Sequence, residues 1–344
     1  MSKKINSHFS DTLTFSKLYE AHMRARKHKM TKGEVLLFEL DLENNLWNLI
    51  NSIKNKTYSL GDYREFKIYE PKERLIKSLP YKDRVVHQWY VEEFIKRYIT
   101  PKFISSTFAC LDGKGTHKAV DCLQKYMQKY SSINPDFWIL KCDIKKFFYN
   151  IDKCILYKIL CKYFYDSEIL SFSKLLLYDK SANEKVGIPI GNYTSQYFAN
   201  LYLNELDQFV KRILKVKYYV RYMDDFVLLL DNKNECKALK CKIEYFLKEY
   251  LHLELNDKSR YYPNKMGVNF CGYRIFQNYR KLRNNSKKKI KKKIKNWNKL
   301  YSEKKLEILA AMQSINSWRG HASHCNSYKL QQKILNSCDF VYVN

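Results

Sequence analysis

Apolar side chains recur at helical spacing through Val35, Leu36, Phe38, Leu40, Leu46, Trp47, Leu49, Ile50 and Ile53, and predict a mostly helical segment over residues 1–60 that Gly61-Asp62 ends. From Tyr63 to Leu79 the period shortens. Phe66-Lys67-Ile68-Tyr69 and Leu75-Ile76-Lys77-Ser78-Leu79 read as strands joined through Glu70-Pro71-Lys72-Glu73-Arg74, a basic hairpin. Asp83-Arg84-Val85-Val86 opens a predicted helix to about Tyr98, and the turn Asp112-Gly113-Lys114-Gly115 precedes another from Thr116 to about Tyr130. Phe137-Trp138-Ile139-Leu140-Lys141-Cys142-Asp143 is an apolar strand whose last residue is a carboxylate. Gly187 to Gln196 is a loop running into a helical stretch at Tyr197 to Leu203, and strand runs Tyr218–Tyr222 and Phe226–Leu230 place Asp224-Asp225 at a hairpin tip. No internal repeat is evident.

A chain of 344 residues, 45% hydrophobic and 15% aromatic, can bury a large core, and its length suggests two or three subdomains. The 63 Lys and Arg against 35 Asp and Glu give a net charge of +28, the footprint of a protein that binds a phosphate backbone. No apolar run reaches transmembrane length and the N-terminal stretch Met1 to Asp11 is polar, so a cytoplasmic protein with no membrane partner is expected. The ten cysteines contain no C-x-x-C pair and read mainly as small buried hydrophobes. His321, His324 and Cys325 lack a second ligand pair, and zinc is not predicted there.

Two neighbouring carboxylates at a hairpin tip repel unless a cation lies beside them, which points to a metal; an ordinary acidic turn is the alternative. Asp143 reads either as an acid facing a cleft or as a helix N-cap. It lies about 80 residues before the acid pair, too far for local sequence to require that they meet. Gly187 and Gly191 would let backbone approach a ligand closely, or simply make a turn.

Taken in order, Asp143 followed by Phe147-Phe148, then G-x-P-x-G-x-x-x-S-x-x-x-A-N from Gly187 to Asn200, then Tyr222-Met223-Asp224-Asp225, the chain resembles the palm of reverse transcriptases from about Phe66 to Tyr273. Ile188 to Gln196 and Arg221 to Phe226 are most similar to the diversity-generating retroelement type. That resemblance implies an α+β, right-hand polymerase: an N-terminal helical extension at 1–60, fingers at 61–135, a palm with an antiparallel sheet at 136–275 and a helical, basic thumb at 276–344. It implies two Mg2+ ions held about 4 Å apart by Asp143, Asp224 and Asp225, with Asp143 and Asp224 bridging, Asp225 least direct and the Ile144 carbonyl as a backbone ligand.

By the same resemblance Lys72 and Arg74 hold the incoming triphosphate, although a solvated basic hairpin is the alternative for both. Phe148 falls where the steric gate against a 2′-hydroxyl stands, with Phe147 in the core. Ile190 lies at the nascent base pair, where accurate relatives carry Gln, and Gly191 beside it is a further substrate-binding residue. Leu251 to Ser259 and Gly267 to Tyr273 resemble the later palm segments, the second gripping the primer. From Arg280 to Lys305 the chain is strongly basic, yet Ile290, Ile294, Trp297 and Tyr301 keep a helical stripe that fits a thumb helix tracking the template-primer backbone. The implied function is low-fidelity, adenine-mutagenic cDNA synthesis for gene diversification. The implied partners are template RNA, an RNA-DNA duplex, deoxynucleoside triphosphates and a small helical accessory protein, commonly pentameric. Another bacterial reverse transcriptase (retron, group II intron-like or phage-defence) and a non-catalytic RNA-binding protein are the alternatives.

Overall fold

The computed structural model describes residues 9–69, 73–178 and 184–341. Helices α1 (Phe9–Thr12), α2 (Phe15–Arg26), α3 (Gly33–Leu40) and α4 (Leu42–Lys54) precede the hairpin of β1 (Arg64–Ile68) and β2 (Arg74–Ser78). Helix α5 (Tyr81–Tyr90) continues as a π-helical stretch, Val91–Ile99, and α6 (Thr116–Ser131) leads to β3 (Trp138–Asp143). Next come α7 (Phe147–Asn150), α8 (Lys153–Tyr163), α9 (Ser167–Tyr178), α10 (Tyr193–Gln208), β4 (Tyr219–Tyr222), β5 (Asp225–Leu230) and α11 (Lys233–Leu251). The remainder is β6 (Arg260–Pro263), β7 (Val268–Phe270), β8 (Tyr273–Ile275), β9 (Arg280–Leu282), α12 (Asn284–Ser302), α13 (Ile308–Ala322) and α14 (Tyr328–Leu335).

These elements form two compact units. The first comprises Met1–Ser105, Asp143–Lys215 and Cys241–Asp257; the second Ser106–Cys142, Val216–Lys240 and Lys258–Asn344. In the first, α2 packs on α5, and rings make much of the core: Phe9 meets Trp89 edge-on at 5.4 Å and stacks on Phe94 at 5.7 Å. The Trp89 indole donates to the Thr12 carbonyl, so its polar edge is satisfied inside that core. Helix α5 starts at Tyr81, two residues before the expected Asp83, because Pro80 supplies a preset backbone at the N-cap. Asp83 is engaged elsewhere, for its fully buried carboxylate accepts from the Tyr58 hydroxyl and the Gly61 amide.

In the second unit the antiparallel pairs β4–β5 and β3–β6 belong to a four-stranded sheet ordered β4-β5-β3-β6. The neighbouring sheet, β7-β8-β9, shares a core with it and with α6 through Leu123, Met127, Ile139, Val220, Val227, Phe270 and Tyr273. Helix α12 buries Ile290 and Ile294 against Ala311, Ile315 and Ile334, about 2 kcal/mol for each isoleucine, and turns its lysines outward. The expected basic helix starts late, since Arg280–Leu282 pairs with β8 and buries Leu282. No helix among the described residues is long and apolar enough to cross a membrane.

Candidate active site

In the first unit the loop from Gly187 to Asn192 is bound to two other segments by main-chain hydrogen bonds. The Gly187 amide donates to the Ile151 carbonyl at 2.8 Å and the Ile188 amide to the Phe148 carbonyl at 2.9 Å. On the other side the Lys77 amide of β2 donates to the Ile190 carbonyl at 2.9 Å. Phe148, Ile190 and Gly191 and the β1–β2 hairpin that carries Arg74 are therefore brought together. Lys72 lies outside the described residues.

Gly191 is required by this geometry: its φ is +136°, and an added Cβ would lie 2.3 Å from the Lys77 carbonyl oxygen. Ile190 lines a cavity of about 500 Å³ with Tyr63, Lys77, Tyr149 and Lys153. Beneath it Asn192, almost wholly buried, donates to the Tyr63 hydroxyl at 2.7 Å, while its own carbonyl oxygen has no partner among the described residues. Phe147 is buried as expected and meets Phe148, which is half-buried, edge-on at 5.6 Å.

Asp143 ends β3, and α7 downstream is capped by Lys146, so Asp143 is not a helix N-cap. Its carbonyl accepts from the Asn256 amide at 2.7 Å, and the Lys145 amide donates to the Glu254 carbonyl at 2.9 Å. Those bonds flank the isolated Ile144–Leu255 bridge, so the Ile144 carbonyl faces away from Leu255, as a backbone ligand would need to.

In the second unit Tyr222 pairs with Asp225, leaving Met223 and Asp224 as a two-residue turn. Met223 takes a φ of +57°, a conformation costly for a long side chain. Two features hold it there: the fully buried Arg221 donates to the Met223 carbonyl at 3.0 Å, and the Arg221 backbone is bonded to Ser106 and Phe108. Lys141 places its ammonium on the Asp225 carboxylate.

The carboxylates and the Ile144 carbonyl are hard oxygen donors, with no sulfur or imidazole among them, and so fit magnesium in chemistry. Among the described residues, however, no three His, Cys, Asp or Glu side chains are grouped around a common metal position. Lys141, Lys77, Arg221, Tyr63 and Asn192 were not singled out from sequence. For Lys141 a signal existed, since it shares a strand face with Asp143 two residues on.

The family described as "Reverse transcriptase (RNA-dependent DNA polymerase)" matches residues 62–275, more than half of the chain. The chain belongs to the reverse transcriptase family. Its fold is accordingly of the right-hand polymerase class, mixing helices with antiparallel sheets. A curated relative of this reverse transcriptase, a COX1/OXI3 intron 2 protein of Saccharomyces cerevisiae, is 24% identical over 224 residues, 47% of this chain and 26% of that protein. The chain thus spans about a quarter of that relative's length. Among solved structures, telomerase from Candida albicans with a TWJ fragment of telomeric RNA is 13% identical, with a TM-score of 0.47 over 67% of this chain and 46% of that one. Apo telomerase from Candida tropicalis, truncated from its C-terminal domain, is 14% identical, also at 0.47, over 69% of this reverse transcriptase and 60% of that chain.

Proposed function

We propose that the protein is an RNA-directed DNA polymerase of the diversity-generating retroelement type, making adenine-mutagenic cDNA from a template-repeat RNA. The observation that carries the polymerase reading is the family match over 62–275, which contains Asp143, the Gly187–Asn192 loop, Asp224 and Asp225. Asp143, Asp224, Asp225 and the Ile144 carbonyl would hold two Mg2+ ions. When bound, such ions lower the cost of charge developing in the in-line attack of a primer 3′-hydroxyl on an α-phosphate. The protein's own part is positioning and charge. Arg74 and Lys72 neutralise the triphosphate, Phe148 excludes a 2′-hydroxyl, and the loop at Ile190-Gly191 supports the nascent pair.

Ile190 supports the mutagenic part of the reading. Anchored to β2 through its carbonyl, it presents a branched apolar side chain to the cavity, with no hydrogen bond to enforce correct pairing. Template RNA, the RNA-DNA duplex and deoxynucleoside triphosphates are the proposed partners, with a small helical accessory protein, commonly pentameric, whose acidic surface would complement the +28 charge. A cytoplasmic location goes with that reading.

Likeness to an intron protein favours a group II intron-like enzyme as the second reading. Ile190 and Ser195-Gln196, where such enzymes usually carry Gln and Ser-Pro, argue for the first. Primer extension on a defined RNA with Mg2+, sequenced by template base, tests both: errors concentrated at adenine and reduced by Ile190→Gln are expected. An even error spectrum, or one untouched by Ile190→Gln, would leave only the polymerase.

A further inference from the structure

In the second unit a cavity of about 360 Å³ opens where the β8–β9 turn meets the start of β3, the end of that strand opposite Asp143. Its volume lies within the range of about 300–1,000 Å³ typical of small-ligand sites. Alternation along β8 sends Tyr273 and Ile275 into the core and leaves Arg274 on the outer face, which Phe276 continues. Strand β9 does likewise, burying Leu282 and exposing Lys281, the partner of Arg274 across the hairpin. The turn therefore carries two rings outside the core. Phe276 and Tyr279 stack at 4.5 Å with their planes 21° apart, and both line the cavity.

Those rings are held in place. The Phe276 amide donates to the Tyr279 carbonyl at 2.8 Å, and Gln124 of α6 donates from its carboxamide to the Phe276 carbonyl at 3.3 Å. Gly267 underlies the Phe276 ring so closely that an added Cβ would lie 2.7 Å from it. On the opposite wall Asn264 donates through its side chain to the Pro135 carbonyl at 2.7 Å and through its backbone amide to the Phe137 carbonyl at 3.0 Å.

Asp136, Gln277 and Asn278 add a carboxylate and two carboxamides to the lining, so donors and acceptors stand beside the rings. Cations outnumber the acid. Lys265 lines the cavity, the Arg274 guanidinium lies 5.6 Å from the centre of the Phe276 ring and the Lys281 ammonium 5.1 Å from that of Tyr279. Rings flanked by donors and acceptors suit a heteroaromatic base, and three cations against one carboxylate suit its phosphate. An acidic peptide would satisfy the cations and leave the stacked rings unused.

We propose that this cavity binds an unpaired nucleotide, its base against the Phe276–Tyr279 pair and its phosphate at Lys265 and Lys281. The site uses none of the carboxylates of the polymerase reading and needs no divalent ion, so it neither rests on that reading nor falls with it. A free nucleoside monophosphate and one exposed nucleotide of a single-stranded RNA share this chemistry.

The test is binding of adenosine 5′-monophosphate and of single-stranded hexaadenylate to the full chain in EDTA, with 8-azidoadenine versions of both for photo-crosslinking. Crosslinks should map to residues 276–281. Tyr279→Leu, which keeps apolar bulk and removes the ring, should weaken both probes at least about fivefold, while Tyr279→Phe should stay within about twofold of the wild type. Lys265→Gln with Lys281→Gln should reduce the salt slope of hexaadenylate binding by about one. Hexaadenylate held at least tenfold more tightly than the monophosphate identifies a single strand as the source, and equal affinities identify the free nucleotide. Crosslinks that avoid residues 276–281, or a folded Tyr279→Leu variant that binds as the wild type does, would leave the rings only a hairpin clasp and overturn the proposal. Displacement of the monophosphate by equimolar inorganic phosphate or hexaglutamate would overturn it too, reducing the site to charge or giving it to an acidic protein. Should Tyr279→Leu fail to fold, the crosslink map of the wild type decides by itself.

Discussion

Gly191→Ala is the sharpest structural perturbation this site offers. At φ +136° an L side chain is strained by about 1–3 kcal/mol whatever the space around it. Here there is no space: the new Cβ would lie 2.3 Å from the Lys77 carbonyl oxygen, 3.2 Å from its carbon and 3.3 Å from Ile76 Cγ2. The first obstacle is strand backbone, so relief means moving β2 or the loop by about 1 Å, an overpacking cost of about 1–3 kcal/mol. The same movement stretches the 2.9 Å bond from the Lys77 amide to the Ile190 carbonyl, about 1 kcal/mol more. Stability should fall by about 3–7 kcal/mol if the fold holds the loop in place. If the loop shifts instead, extension should fall on the order of 100-fold, since an ångström of misplacement is enough for that.

Two other glycines calibrate the effect. Gly187 has φ +91° and a Cβ would approach the Tyr149 carbonyl oxygen to 3.2 Å, while Gly113 has φ +68° and open space around it. Thermal unfolding and single-nucleotide extension of the three alanine variants should therefore rank Gly191 worst, Gly187 intermediate and Gly113 mildest. Equal losses at Gly191 and Gly113 would refute the close approach of loop and hairpin.

Further outcomes follow from the same geometry. His87, fully buried with Nδ1 on the Thr194 hydroxyl and Nε2 without a partner among the described residues, has its pKa pushed down to about 3 by desolvation. The unfolded chain takes up that proton first, so the contribution of His87 is complete above pH 6.5 and is lost as pH falls from there through about 3. Between pH 6.5 and 5 that amounts to about 2 kcal/mol, and denaturant unfolding of His87→Gln should lack this slope. Phe148→Ala should admit ribonucleotides at least tenfold more readily in extension assays, and unchanged exclusion would remove the gate assignment. Replacing Lys288, Lys292 and Lys295 on the outer face of α12 with Gln should weaken duplex binding in low salt and reduce the salt slope by up to about three; an unchanged slope would take the duplex off that face.

The hairpins were legible in the sequence because alternation of apolar and polar residues is a local signal, and Tyr222 to Phe226 could hardly be read otherwise. The start of α5 was misplaced for a local reason: Asp83 looks like a helix opener, but its carboxylate is used by Tyr58 and Gly61, 25 and 22 residues away in the chain. Strand β9 was hidden because Arg280-Lys281-Leu282 carries no strand propensity of its own and is ordered by pairing with β8. At the site, Asp143, Gly191, Asp224 and Asp225 drew notice by residue type and position, whereas the resemblance to reverse transcriptases was needed to join them and to name Phe148 and Ile190. The anchoring of the loop at Lys77 and Ile151, the bonding of the Arg221 backbone to Ser106 and Phe108 and the lysine on Asp225 are contacts between distant segments, which no local pattern encodes.

The central claim is that the acids at 143 and 224 serve nucleotidyl transfer. It is tested most directly by extending a DNA primer on an RNA template with Mg2+ and deoxynucleotides, comparing the wild type with Asp143→Asn and Asp224→Asn while measuring primer-template affinity in parallel. Each substitution should abolish extension by at least a thousandfold and leave duplex affinity within a few-fold, as the proposed action of these carboxylates on the reacting phosphate, apart from the backbone grip, requires. Extension that survives either substitution, or a wild type that binds the duplex and adds no nucleotide, would contradict it.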